Sequence, residues 1–157
     1  MIQLEENLPN CTFQLLTDEG MQSPTTEDLF AGKKVVLFAV PGAFTPTCSE
    51  EHLPGYVTLA DKIKAKGVDN IICLAVNDAF VMNAWGKVHN ADEITMLADG
   101  AGDFTKAIGL DMDTGAFGGL RSQRYSMLVE DGCVTQLNIE PPKTFEVSKA
   151  ETMLALL

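Results

Sequence analysis

The chain reads as an α/β domain with a mixed central sheet flanked by helices on both faces. Three observations predict it. Two continuous apolar runs of strand length, VVLFAV and NIICLAV, carry no alternation and fit strands buried on both sides. Helical segments separate these runs, which is the order that makes a parallel core. A late pair of alternating runs, RYSMLVE and CVTQLNI, surrounds Asp131-Gly132, a strong hairpin signal that adds antiparallel strands.

In order along the chain, CTFQLL followed by TDEG reads as a strand and a turn. KKVVLFAV (33–40) is the first buried strand. A helix is expected over residues 45–66, stopped by Gly67, with Pro54 inside it to kink or split it. NIICLAV (70–76) is the second buried strand. Asn77 and Asp78 then offer caps to a helix through AFVMNAWGKV. EITMLAD (93–99) reads as a third strand and GDFTKAIGL as a short helix. After the hairpin, Ser148-x-x-Glu151 has the form of a capping box for a last helix. The thioredoxin-like architecture has this layout, as do other α/β sandwiches.

Composition narrows the class. The chain has 157 residues, 46% of them hydrophobic, which suits one globular domain over 1–157. A formal net charge of -11 disfavours nucleic acid and anionic membrane as partners. No apolar run approaches the roughly 20 residues of a membrane span. The start, MIQLEENLPN, has neither the basic nor the apolar region of a secretory signal, so a cytoplasmic, reducing setting is expected. The four cysteines, Cys11, Cys48, Cys73 and Cys133, form no C-x-x-C pair and no metal-ligand spacing. His52 and His89 do not complete a zinc set, so no metal is expected.

One cysteine is oddly placed. In PGAFTPTCSEEH (41–52), Pro41-Gly42 ends the first buried strand, and strand C-terminal ends are where α/β sheets carry their sites. With Thr45 as N-cap, Pro46 stands at N1 and Cys48 at N3; with Thr47 as N-cap, Glu50 falls at N3. Either register leaves Cys48 in the opening turn, near unpaired N–H groups and the positive end of the helix dipole. Both favour thiolate over thiol. His52, four residues on, shares the helix face of Cys48. A Cys48–His52 pair would suit acyl transfer. Yet no orienting partner for the histidine is visible, and a packing role for it is the better expectation. A binding module docking a basic partner through the acidic surface is a further alternative.

Pro41-x-x-x-Thr45-x-x-Cys48 resembles the active-site signature of the peroxiredoxins. The longer VPGAFTPTCSEEHLPGY is similar to the type II, or five-like, subfamily, as are VNDAFVMNAW, LADGAGDFTKAIGL and RYSMLVEDG, in the right order from about Lys33 onward. The resemblance implies a thioredoxin-like fold and a thiol peroxidase that reduces hydrogen peroxide and alkyl hydroperoxides in antioxidant defence. It implies that Cys48 attacks peroxide and becomes a sulfenic acid, that Thr45 hydrogen-bonds thiolate and substrate, and that Pro41 shields the sulfur. The family's active-site arginine falls on Arg124, with Arg121 a nearby competitor. Such chemistry suits these residue types, because an anionic sulfur and developing oxygen charge both call for fixed donors. The Thr47 and Cys48 N–H groups can add to them. Phe44, Phe117 and Leu120 would give alkyl chains an apolar collar. The glycine-rich GAFGGLRSQR lacks a phosphate-loop pattern and reads as a mobile loop.

Some subfamily members keep a resolving cysteine before the last helix. Here that segment, EPPKTFEVSKAE, has none. A one-cysteine cycle is therefore expected, regenerated by glutathione and glutaredoxin, or by thioredoxin, with no bound cofactor. Cys73 is the alternative resolving thiol, but it sits mid-strand. Subfamily members commonly pair, which implies a homodimer.

Overall fold

The first apolar run does form the centre of the sheet. A computed structural model describes residues 1–157. A short hairpin, β1 (Leu15–Thr17) and β2 (Gly20–Gln22), precedes helix α1 (Thr26–Phe30) and strand β3 (Lys34–Ala39). Helix α2 (Leu53–Lys64) leads to β4 (Asn70–Ala75), α3 (Ala79–Val88) to β5 (Thr95–Ala98), and α4 (Asp103–Ala107) follows. A small hairpin, β6 (Asp111–Asp113) with β7 (Leu120–Ser122), comes before the long hairpin of β8 (Tyr125–Glu130) and β9 (Cys133–Ile139). Helix α5 (Ala150–Ala155) ends the chain. The five-stranded sheet runs β5-β4-β3-β8-β9, with β3, β4 and β5 parallel and β8 and β9 antiparallel.

Alternation along β3 divides the core in two. Val36, Phe38 and Val40 face one side, where α2, α3 and α5 pack; Val35, Leu37 and Ala39 face the other, which α1 and α4 cover. A strand buried on both faces has no need of polar positions, which is why the sequence shows an unbroken apolar run. The β8–β9 turn places Asp131 and Gly132 at φ 50° and 76°, the left-handed pair that a two-residue turn requires.

Four details depart from the sequence reading. The first strand, expected from CTFQLL, stays outside the main sheet except for a bridge from Gln14 to Ala98. Thr25 and Asp28 form an unforeseen reciprocal capping box for α1. GAFGGLRSQR is not an unpaired loop: β6 and β7 close it, with Thr114 donating its hydroxyl to the Gly119 carbonyl. Finally, Ser148 does not cap α5. Lys149 holds the N-cap position without a side-chain bond, because the Ser148 hydroxyl is committed to Glu140.

Candidate active site

The helix after β3 begins at Pro46, and Cys48 lies in its first turn, as the Thr45 register predicts. Thr45 is no side-chain cap, however. Its hydroxyl donates to the Gly42 carbonyl at 2.6 Å. Pro54 does divide the helix: ahead of α2 the chain widens to a π-turn over Cys48–His52, with the Leu53 N–H reaching back five residues to the Cys48 carbonyl. Proline at 54 has no N–H for the Glu50 carbonyl and would crowd it in a regular α-turn; the wider turn relieves that conflict. Such π-turns concentrate at functional sites.

The loop leading into this turn is held from outside. Asn77, at the end of β4, accepts the Ala43 N–H at 2.9 Å. Phe44 adopts φ 63°, an unusual conformation for an aromatic residue, and its ring leans on Trp85 of α3. The Trp85 indole N–H donates to the Ser49 hydroxyl at 3.0 Å, tying α3 to the residue beside the thiol.

Arg124 stands immediately before β8. The register pairs Tyr125 with Ala39, so Arg124 comes level with the end of β3, where Pro41 turns the chain. Its Nη2 donates to the Cys48 Sγ at 3.0 Å. Nη1 donates to His52 Nδ1 at 2.8 Å. Arg121 is spent elsewhere, on the Gly118 and Val76 carbonyls.

His52 is therefore more than packing. It lies fully buried among Phe38, Tyr56 and Phe145, and its Nε2 faces the Ser148 carbonyl at 3.1 Å. An arginine cannot accept a hydrogen bond, so Nδ1 carries the lone pair and Nε2 the proton. Burial first, and then the Arg124 charge, hold the ring neutral by lowering its pKa to about 3. The missing orienting partner of the sequence reading is thus the Ser148 carbonyl, 96 residues away. With both ring nitrogens engaged, His52 has none to offer Cys48, and the acyl-transfer arrangement is not built.

A cleft of about 890 Å³ opens beside the guanidinium. Pro41, Thr47, Met112, Phe117 and Gln123 line it with Arg124, and the segment 140–145 forms its far wall. Of the expected apolar collar, only Phe117 lines this cleft. Phe44 is turned to Trp85, and Leu120 packs over Gly102. Cys73 lies in β4 between Phe38 and Met96, and burial pushes its thiol well up. Among the cysteines, Cys48 and Cys73 are buried and none is bridged.

A sheet of this topology with a guanidinium-bound thiol at the first helical turn defines a thioredoxin-fold thiol enzyme. The family model named Redoxin matches residues 3–154. A peroxiredoxin of Synechocystis sp. is 48% identical, over 97% of this chain and 89% of its own length. The crystal structure of reduced Prx3 of Vibrio vulnificus in complex with hydrogen peroxide superposes with a TM-score of 0.98 at 65% identity, covering 99% of each chain. Peroxiredoxin 5 of Alvinella pompejana superposes at 0.86 with 36% identity, over 99% of this chain and 97% of that one. The chain belongs to the redoxin family and, within it, to the type II peroxiredoxins, which are thiol-dependent peroxidases.

Proposed function

We propose that this peroxiredoxin reduces hydrogen peroxide and alkyl hydroperoxides at Cys48 in a one-cysteine cycle. The observation that carries the reading is the 3.0 Å contact from Arg124 to the sulfur, beside an open cleft. The sulfur lone pair attacks one peroxide oxygen and forms an S–O bond. The O–O bond breaks, and its electron pair leaves on the second oxygen, which takes up a proton as water or alcohol. Arg124 stabilises both the thiolate and the charge on the departing oxygen. Thr45 donates to Gly42, so the lone pairs of its hydroxyl remain to accept a peroxide O–H. Pro41 and the Thr47 N–H bound the approach, and Phe117 offers apolar surface to an alkyl substituent. His52 holds Arg124 from behind.

An external thiol then attacks the sulfenic acid, releasing water and leaving a mixed disulfide. Glutathione with glutaredoxin is the favoured reductant, thioredoxin the other. The position of Cys73 supports this reading, since a mid-strand thiol in a packed core cannot come to Cys48 without local unfolding. A cytoplasmic setting accords with unpaired cysteines. Exposed aromatic side chains, Phe44 at 53%, Phe80 at 66% and Phe117 at 82%, support a homodimer.

A reductant panel tests the cycle. Purified chain and hydrogen peroxide are combined with thioredoxin, or with glutathione and glutaredoxin, and turnover is followed for wild type and Cys48→Ser. Turnover with glutathione and glutaredoxin, lost in C48S, is expected. Peroxidase activity surviving in C48S would overturn the assignment.

A further inference from the structure

The segment 140–148 crosses the back of the site as a strap. Glu140 is buried, and its carboxylate accepts four hydrogen bonds. Oε2 takes the Glu146 N–H at 2.8 Å, the Ser148 N–H at 2.8 Å and the Ser148 hydroxyl at 2.7 Å; Oε1 shares the Thr144 hydroxyl proton, at 3.1 Å, with the Pro141 carbonyl at 2.8 Å. All four donors lie within the strap itself, so one carboxylate folds it into a closed turn. Burial works against the charge, but the bonds from Ser148 and Glu146 outweigh it and hold the carboxyl below its ordinary range.

What the strap presents is directed at Arg124. Ser148 aims its carbonyl at His52 Nε2 and also receives the Tyr56 hydroxyl at 2.9 Å. Phe145 sets its ring beside His52 and lies under the guanidinium, 5.8 Å from its carbon. The Glu140 N–H in turn donates to the Arg124 carbonyl at 3.0 Å. The chain of contacts closes on itself, from the Arg124 main chain through Glu140, Ser148 and His52 to the Arg124 side chain.

We infer that Glu140 is a positioning residue for peroxide reduction: by folding the strap, it fixes the His52 tautomer and the ring support that aim the Arg124 guanidinium at Cys48. Without the carboxylate, the Ser148 carbonyl and Phe145 lose their place. His52 can then put its proton on Nδ1, where it opposes Arg124 instead of accepting from it. Glutamine should largely substitute, because its carbonyl can face Ser148 and Glu146 while its amide faces the Thr144 hydroxyl, which can accept.

The inference rests on the reading of Cys48 and Arg124 given above, and the test separates the two. Trp85, the single tryptophan, touches Ser49 next to the reacting thiol and reports peroxide oxidation by stopped-flow fluorescence. Glu140→Ala is expected to lower the second-order rate constant with hydrogen peroxide at least tenfold. E140Q should stay within about threefold of wild type. Alkylation of Cys48 by iodoacetamide, whose attack creates no oxygen anion for Arg124 to bind, should fall much less than the peroxide rate. In an Arg124→Gln background, E140A should cost little more, since it acts through that side chain. If E140A does not fold, Glu140→Asp carries the same measurements, its carboxylate drawn back from Ser148. Equal losses of peroxide and iodoacetamide reactivity, additivity with R124Q, or a peroxide rate within twofold of wild type would each overturn the inference. Should R124Q itself react at the wild-type rate, the reading of Arg124 falls, whatever Glu140 does.

Discussion

Cys48 gains its environment from two sources of different origin. Its place in the opening turn of the helix is set by the local sequence, and Arg124 supplies a permanent charge at 3.0 Å. A guanidinium reaches sulfur and histidine with separate nitrogens fixed in one plane, whereas an ammonium must reach both from a single nitrogen on a flexible stem. Arg124→Lys and Arg124→Gln should therefore both lower the peroxide rate constant, the glutamine by about 10² to 10³, the scale of losing one oxyanion donor. Stopped-flow oxidation of the purified variants measures this, and a lysine variant at wild-type rate would contradict it. Cys73 makes the opposite case. Its burial keeps the thiol protonated and enclosed. Cys73→Ser is expected to turn over with glutathione and glutaredoxin as wild type does. If turnover stops while the first peroxide is still reduced, Cys73 is the resolving thiol and the one-cysteine cycle is wrong.

At the scale of elements, the wide turn over Cys48–His52 governs how the helix presents its thiol. Its cause is local: Pro54 removes one N–H and crowds the carbonyl four residues back. Pro54→Ala restores a donor that can bond Glu50 and draw the turn toward regular α geometry. The peroxide rate constant should fall several-fold while the unfolding temperature holds or rises. A rate within twofold of wild type would mean that packing of His52, not the missing N–H, sets the wide turn. Proline was visible in the sequence, and with it a division of the helix; the form of that division, a π-turn, was not. Both ends of the helix are held, one by Trp85 on Ser49 and the other by α5 packed along α2.

Across the whole molecule, the His52 ring couples the site to stability. Its pKa falls to about 3 in the fold, against 6.5 for an ordinary histidine, so the unfolded chain binds this proton more readily. The contribution to stability is complete above pH 6.5 and is lost as the pH falls from there toward 3. At pH 5 the loss is about 2 kcal/mol relative to neutral pH. Glu140, whose carboxyl is also held low, adds a loss of the same sign at more acid pH. Urea titrations at pH 7 and pH 5 on wild type and His52→Gln measure it. The wild type should lose more stability on acidification than the variant, and equal losses would show that the ring is not a buried neutral group. The homodimer is tested at this scale too, by sedimentation. Twice the 16.9 kDa chain mass is expected, and Phe80→Asp should weaken the pair.

Much of this protein could be read from the chain alone. Unbroken apolar runs, the spacing of turns and the Pro41-x-x-x-Thr45-x-x-Cys48 segment are local features, set by backbone periodicity and by what a helix start requires of nearby residues. They determined the order of the five main-sheet strands and the helices between and after them, and put one thiol at a strand end; α1 and the small strands β2, β6 and β7 were not legible. Which groups meet that thiol is not local. Arg124 lies 76 residues from Cys48, and the Ser148 carbonyl 96 from His52. Only closure of the sheet, with β8 laid antiparallel along β3, brings them together. Hydrogen-bond partners separated so widely leave no periodic trace in sequence, because their approach is decided by how the two cores pack.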